Sequence, residues 1–168
     1  METFVNKVAE SGIITIDLTE YLPDEDVIAV FDLKPFLFRE MIVREKEFRA
    51  SQLTHDWAQY TGKHVAITCS TDAIIPMWAY MLVSSYLQPV SRSIYFGTGA
   101  ELKKHLTITA LATIDPAEYQ DKRVVIKGCG DISIPETAYV TVTGLLRPHV
   151  KSLMYGEPCS TVPIFKRK

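Results

Sequence analysis

Short apolar runs separated by polar turns, with two longer stretches of helical period, dominate the chain. KHVAITC and KRVVIKG are brief and rich in Val and Ile, as buried strands are. RSIYFG and KSLMYG read the same way, and SGIITIDL and DVIAVFDL add two strands near the start. Between the paired runs, Ala79, Val83, Tyr86 and Leu87, and again Ala138, Val142, Leu145 and Leu146, recur at i, i+4, i+7 and i+8. That spacing puts each set on one face of a helix. Each helix is entered near a proline, Pro76 or Pro135, and stopped by another, Pro89 or Pro148, which cannot donate the next backbone hydrogen bond. A further helix is predicted over about residues 100–114, with Leu102, Leu106, Ala110 and Thr113 along one stripe, and another over VREKEFRASQL.

The pattern repeats because the sequence does. Residues 54–97 align with residues 113–156 at a constant offset of 59 without a gap, and 17 of the 44 positions are identical. Asp72/Asp131, Ile75/Ile134, Pro76/Pro135, Tyr80/Tyr139 and Gly97/Gly156 are among the matches. Each copy reads as strand, helix, strand, a parallel βαβ unit. The expected fold is therefore α/β: a layered, mostly parallel sheet containing an internally duplicated βαβ unit. At 168 residues the chain is expected to form a single domain over 1–168, with 1–53 as N-terminal strands and helix and 54–97 and 113–156 as pseudo-repeats.

Composition narrows the class without naming an activity. Net charge is -2 and mean hydropathy +0.06, ordinary values that leave no extended basic footprint for nucleic acid, although Lys166, Arg167 and Lys168 form a small basic tail. No window resembles a membrane span, and METFVNKVAE lacks the order of a secretion signal, so a cytoplasmic location is expected. Three cysteines without CxxC spacing make no disulfide framework and fit a reducing compartment.

Parallel sheets collect ligands beyond the carboxyl ends of their strands. Cys69, Cys129 and Cys159 all fall in or beside such loops, whereas His64 and His149 fall at the opposite edge. Cys129 and Cys159 occur only in the second copy, where the first has Ser70 and Ala100. Together with Cys69, Asp131 or Glu157 they are candidate ligands for a soft metal, zinc or an iron–sulfur cluster, or a redox couple. Cys129 alone could serve as a nucleophile near a helix start. The plainer alternative is that the thiols pack in the core. Asp72 and Asp131 are candidate catalytic carboxylates, with helix capping as the plainer alternative. GTG at 97–99 and GCG at 128–130, the latter with Gly130, could cradle an anion on backbone amides, without a full phosphate-loop pattern.

The strings CSTDAIIPMWAYM, KGCGDISIPETAYV and SLMYGEPCSTVP, with REKEFR and FDLKPFL, resemble the bacterial domain-of-unknown-function family 2480 over nearly the whole chain. The resemblance implies a single-domain cytoplasmic protein without assigned activity, encoded near iron–sulfur assembly factors. Its signature positions here include Cys69, Asp72, Trp78, Cys129, Gly130, Asp131, Glu157, Pro158 and Cys159. Two readings follow. One is a metal- or iron–sulfur-related accessory protein, with assembly factors as partners. The other is a small-molecule enzyme with an Asp/Cys site between the pseudo-repeats. Neither nucleic acid nor membrane is an expected partner, and a homodimer is the default oligomer.

Overall fold

The structure, a computed structural model, describes residues 12–128 and 130–168. The described residues form seven strands and four longer helices, joined in part by short 3-10 turns. The strands are β1 (Ile13–Asp17), β2 (Ile28–Asp32), β3 (His64–Thr68), β4 (Ser93–Phe96), β5 (Arg123–Lys127), β6 (Ser152–Glu157) and β7 (Ser160–Lys166). The helices are α1 (Glu45–Thr54), α2 (Met77–Leu87), α3 (Gly99–Leu111) and α4 (Glu136–Leu146). No helix among the described residues is long and apolar enough to cross a membrane.

The fold is a layered α/β arrangement of mostly parallel strands, and the duplication is visible in it. Each copy runs 3-10 turn, strand, helix, strand: β3, α2 and β4 in the first, β5, α4 and β6 in the second. The strands of the two copies do not join one sheet. They lie in two, ordered β2-β3-β4 and β1-β5-β6-β7, and each copy completes its own sheet with one N-terminal strand. The pairing is parallel and equivalent in register: Ile28 faces His64 as Ile13 faces Arg123, and His64 and Arg123 are themselves matched positions. The N-terminal strands are thus part of the same internal symmetry.

The chain accordingly divides into two compact units. One comprises the chain up to Leu22 together with Lys104–Lys168, and the other Pro23–Lys103. In each, the middle strand is covered on both faces. Val65, Ala66 and Ile67 of β3 are buried, as are Val124, Val125 and Ile126 of β5, which explains runs of Val and Ile without polar alternation. Ala79, Val83 and Leu87 of α2, and Ala138, Val142 and Leu146 of α4, are fully buried against them, as their spacing predicts. Fully burying a Val or Leu contributes about 1.5–3 kcal/mol. The helix entries are Pro76 and Pro135.

The units differ in filling. The β2-β3-β4 unit is aromatic: Phe31 stacks on Phe36 and Trp57 at 5.2 and 5.3 Å, and Trp57 stacks on Tyr86 at 5.0 Å. The other unit is aliphatic, with Ile16 at the position matching Phe31. Helix α3 buries Leu102, Thr107 and Leu111, while Thr113 of the expected stripe lies beyond the helix and is exposed.

Strand β7 has no counterpart in the first copy. It pairs antiparallel with β6 through a two-residue turn, Pro158 and Cys159, since Glu157 faces Ser160. Gly156 makes the hairpin feasible: its φ is +118°, and a Cβ there would lie 2.7 Å from the Ser160 carbonyl oxygen. We predict that Gly156→Ala destabilises the protein by about 1–3 kcal/mol. Gly144→Ala, in α4 with no atom within 4 Å of the added Cβ, should stabilise by roughly 0.5–1 kcal/mol. Urea unfolding of both variants checks the pair, and shifts of the same sign would contradict the argument.

Candidate functional site

The carboxyl edges of the two sheets are built alike, from an Asp that ends each N-terminal strand. In the first copy Asp32 ends β2. Its carboxylate accepts the backbone N–H groups of Ser70 and Lys34, both at 3.0 Å, and the Ser70 hydroxyl at 2.5 Å. The loop after β3 is thereby tied to the end of β2. Burial pushes the Asp32 carboxyl up, but the bonds from Ser70 and Lys34 outweigh it and hold the pKa below 3.8.

Asp17 is the matching residue at the end of β1. It accepts the Thr19 hydroxyl at 2.6 Å and the Thr19 N–H at 2.9 Å. These bonds lower its pKa, with a smaller contribution from Lys127. Lys127 is its register partner at the end of β5 and reaches Glu157 at the end of β6, 3.5 Å away. Three adjacent strands therefore end in a row of alternating charge, Asp17, Lys127, Glu157.

The predicted site residues are distributed as follows. Glu157 is exposed and paired with Lys127. Cys159 is exposed in the β6–β7 turn, and Gly130 and Asp131 are exposed ahead of α4. Cys69 and Asp72 belong to the other compact unit. There the half-buried Cys69 packs against the aromatic core and donates its thiol to the Thr71 carbonyl at 3.5 Å. Cys129 lies outside the described residues. Among the described residues no group of three His, Cys, Asp or Glu side chains is arranged to hold a metal ion. Neither Asp72 nor Asp131 caps its helix: both helices begin at a proline four residues later, without a side-chain cap.

GTG is likewise accounted for within the chain. The Thr98 N–H donates to the Glu101 carboxylate at 2.7 Å and the Glu101 N–H to the Thr98 hydroxyl at 3.2 Å, a reciprocal capping box at the start of α3. A carboxylate already sits where a bound anion would. At the opposite edges His64 bonds Ser93 at 2.6 Å and His149 bonds Gln120 at 3.3 Å.

The second copy also holds a cavity that the residue pattern did not single out. It measures about 370 Å³ and lies between α4 and strands β5 to β7, lined by Ile126, Tyr139, Thr143, Leu153, Tyr155 and Ile164 with Met154. Tyr139 and Tyr155 meet edge to face at 5.9 Å, as Tyr80 and Phe96 do at 5.4 Å in the first copy. The Tyr139 hydroxyl lies so close to Gly128 that a Cβ there would be 1.9 Å away. The first copy has Cys69 at that position, and Tyr80 is pushed to a higher pKa by burial and then by the thiol. Asp17, Asp32, Ser70 and Lys127 were missed as well. The signal for the two acids was present, since IITIDL and IAVFDL are both apolar runs closed by Asp-Leu.

Residues 2–167 match the model of a family described as Protein of unknown function (DUF2480). No curated protein and no solved structure matches the chain.

The lowered Asp32 pKa carries a pH prediction. Its stabilisation is complete above the ordinary carboxylate value of 3.8 and is lost as pH falls through the lower folded value. Asp32→Asn should cost on the order of 1 kcal/mol at neutral pH, and the deficit should shrink as the pH is taken below 3.8. Urea titrations on either side of that value test this; a deficit independent of pH would contradict the assignment.

Proposed function

The chain belongs to the DUF2480 family, whose description assigns no activity, and on that premise we propose from geometry that it is a binding protein for a small, largely apolar molecule. The observation that carries this reading is the 370 Å³ cavity of the second copy. Its volume falls in the range of small-molecule sites, and its lining is mainly apolar, with Thr143 and Tyr155 as polar-bearing side chains among the lining residues. Ile164 comes from β7, so the first copy lacks this wall. The carboxylates offered as catalytic, Asp72 and Asp131, are exposed and are not among the residues lining the cavity.

A second reading keeps the thiols: an accessory role in metal or iron–sulfur metabolism, with zinc or a cluster as cargo and assembly factors as partners. What favours it is the exposure of Cys159 beside Glu157 on the sheet that also contains β5. Protein purified without oxygen should then hold zinc or iron, and Cys159→Ser or Cys129→Ser should reduce the content. Metal-free protein sinks the reading.

For the cavity, ligand-observed NMR with indole and phenol as probes should detect weak binding that Thr143→Phe abolishes by filling the space, while unfolding remains cooperative. Binding unaffected by Thr143→Phe, or none in the parent protein, overturns the assignment. If the protein is an enzyme instead, Asp131→Asn should abolish turnover of a substrate found by metabolite screening.

A further inference from the structure

We propose that the amino-terminal edge of the β1-β5-β6-β7 sheet binds an organic phosphate, a small molecule carrying a phosphate group on a compact apolar body. A cleft of about 320 Å³ lies there, separate from the carboxyl edge and independent of the reading above. Arg123, Lys151 and Lys166 line it together with Ser152. This placement follows from register. Arg123 opens β5, Ser152 opens β6 and Lys166 closes the antiparallel β7, and the three are successive partners in one row across the sheet.

Among the described residues none of these three cations has an ion pair or a side-chain hydrogen bond. The nearby acid, Asp121, is taken by Arg167 at 2.6 Å, and Arg167 also donates to the carbonyls of Pro148 and His149. The basic tail of the sequence is thus divided. Arg167 is docked structurally, while Lys166 is left to the cleft. Three like charges on one small concavity repel one another unless an anion joins them.

The first copy supplies an internal control. His64 stands at the position of Arg123 and Ser93 at that of Ser152, and the two close on each other at 2.6 Å. Burial, then the Arg92 charge, lowers the His64 pKa. No counterpart of Lys166 exists there, because β7 is unique to the second copy. Where the first copy has a hydrogen-bonded His64–Ser93 pair and one cation, the second has Ser152 and three cations lining one cleft.

The charge count and the planar Arg fork suit a phosphate dianion. The remaining lining is apolar, notably Met154 and Phe165, and would receive an organic body.

Phenyl phosphate is a suitable probe, titrated by calorimetry and by amide NMR at an ionic strength of about 0.05 M. It should bind, weaken at least about tenfold in Arg123→Gln and in Lys166→Gln, and weaken again at high salt. Lys104→Gln, a surface cation away from the cleft, should leave binding unchanged, and thermal melts should show all variants folded. Absence of binding, equal binding by the cleft variants, equal affinity for inorganic phosphate, or tighter binding of a single-stranded oligonucleotide at the same residues would each overturn the proposal. Phenol should not compete, because it lacks the dianion; competition by phenol would overturn it too.

Discussion

Parallel pairing of an N-terminal strand with the first strand of each copy is the constraint on which the rest of the structure depends. A βαβ unit supplies only two strands, and neither copy could bury both faces and both sides of its β3 or β5 alone. Borrowing β2 and β1 turns each two-stranded unit into a sheet with a central strand that is flanked on both sides. It also places an Asp at the end of each borrowed strand, beside the loop that follows the central one. The hydrogen bonds that lower the Asp32 pKa are those that tie this loop down, so the architecture and the electrostatics of the edge have one origin.

The two copies share this frame, and a handful of the positions at which they differ set their edges apart. Exchanging Cys69 for Gly128 lets a tyrosine hydroxyl approach the backbone. Adding β7 supplies Ile164 to one cavity and Lys166 to another, on opposite sides of the same hairpin register. Replacing His64 by Arg123 converts a closed polar pair into an open charged one. The unit of the first copy has an aromatic core and a capped GTG turn, and that of the second an aliphatic core and two clefts lined by β7.

Much of this was legible in the sequence because the informative signals were local. The offset of 59 located both helices, and their proline entries and buried stripes, Ala79, Val83, Leu87 and Ala138, Val142, Leu146, agree with the structure. Two features were not legible. The separation into two sheets depends on pairings between distant strands, which no local periodicity encodes, and only the shared Asp-Leu ending hinted that β1 and β2 were equivalent. Strand β7 was hidden because Pro163 interrupts STVPIFK. The structure accommodates it opposite Met154, where the register shifts, a position at which a strand tolerates a missing N–H. At the site, Asp72, Asp131 and Cys159 follow the ends of β3, β5 and β6, but exposure and pairing depend on packing. The residues that organise the edge, Asp17, Asp32 and Lys127, belong to the strand ends themselves.

The discontinuous unit has a consequence for how the protein is made. Ile13 and Arg123 are register partners about 110 residues apart, while every segment of the other unit lies between them. At roughly 5–20 residues per second, β1 leaves the ribosome several seconds to about 20 seconds before β5 exists to receive it. The interposed unit, Pro23–Lys103, is complete in that interval and can close its own core first. Until β5 has been made, β1 is an unpaired strand of Ile, Ile, Thr and Ile, the kind of exposed edge on which nascent chains associate. Chain order thus lets the interposed unit close before β5 follows it and captures β1.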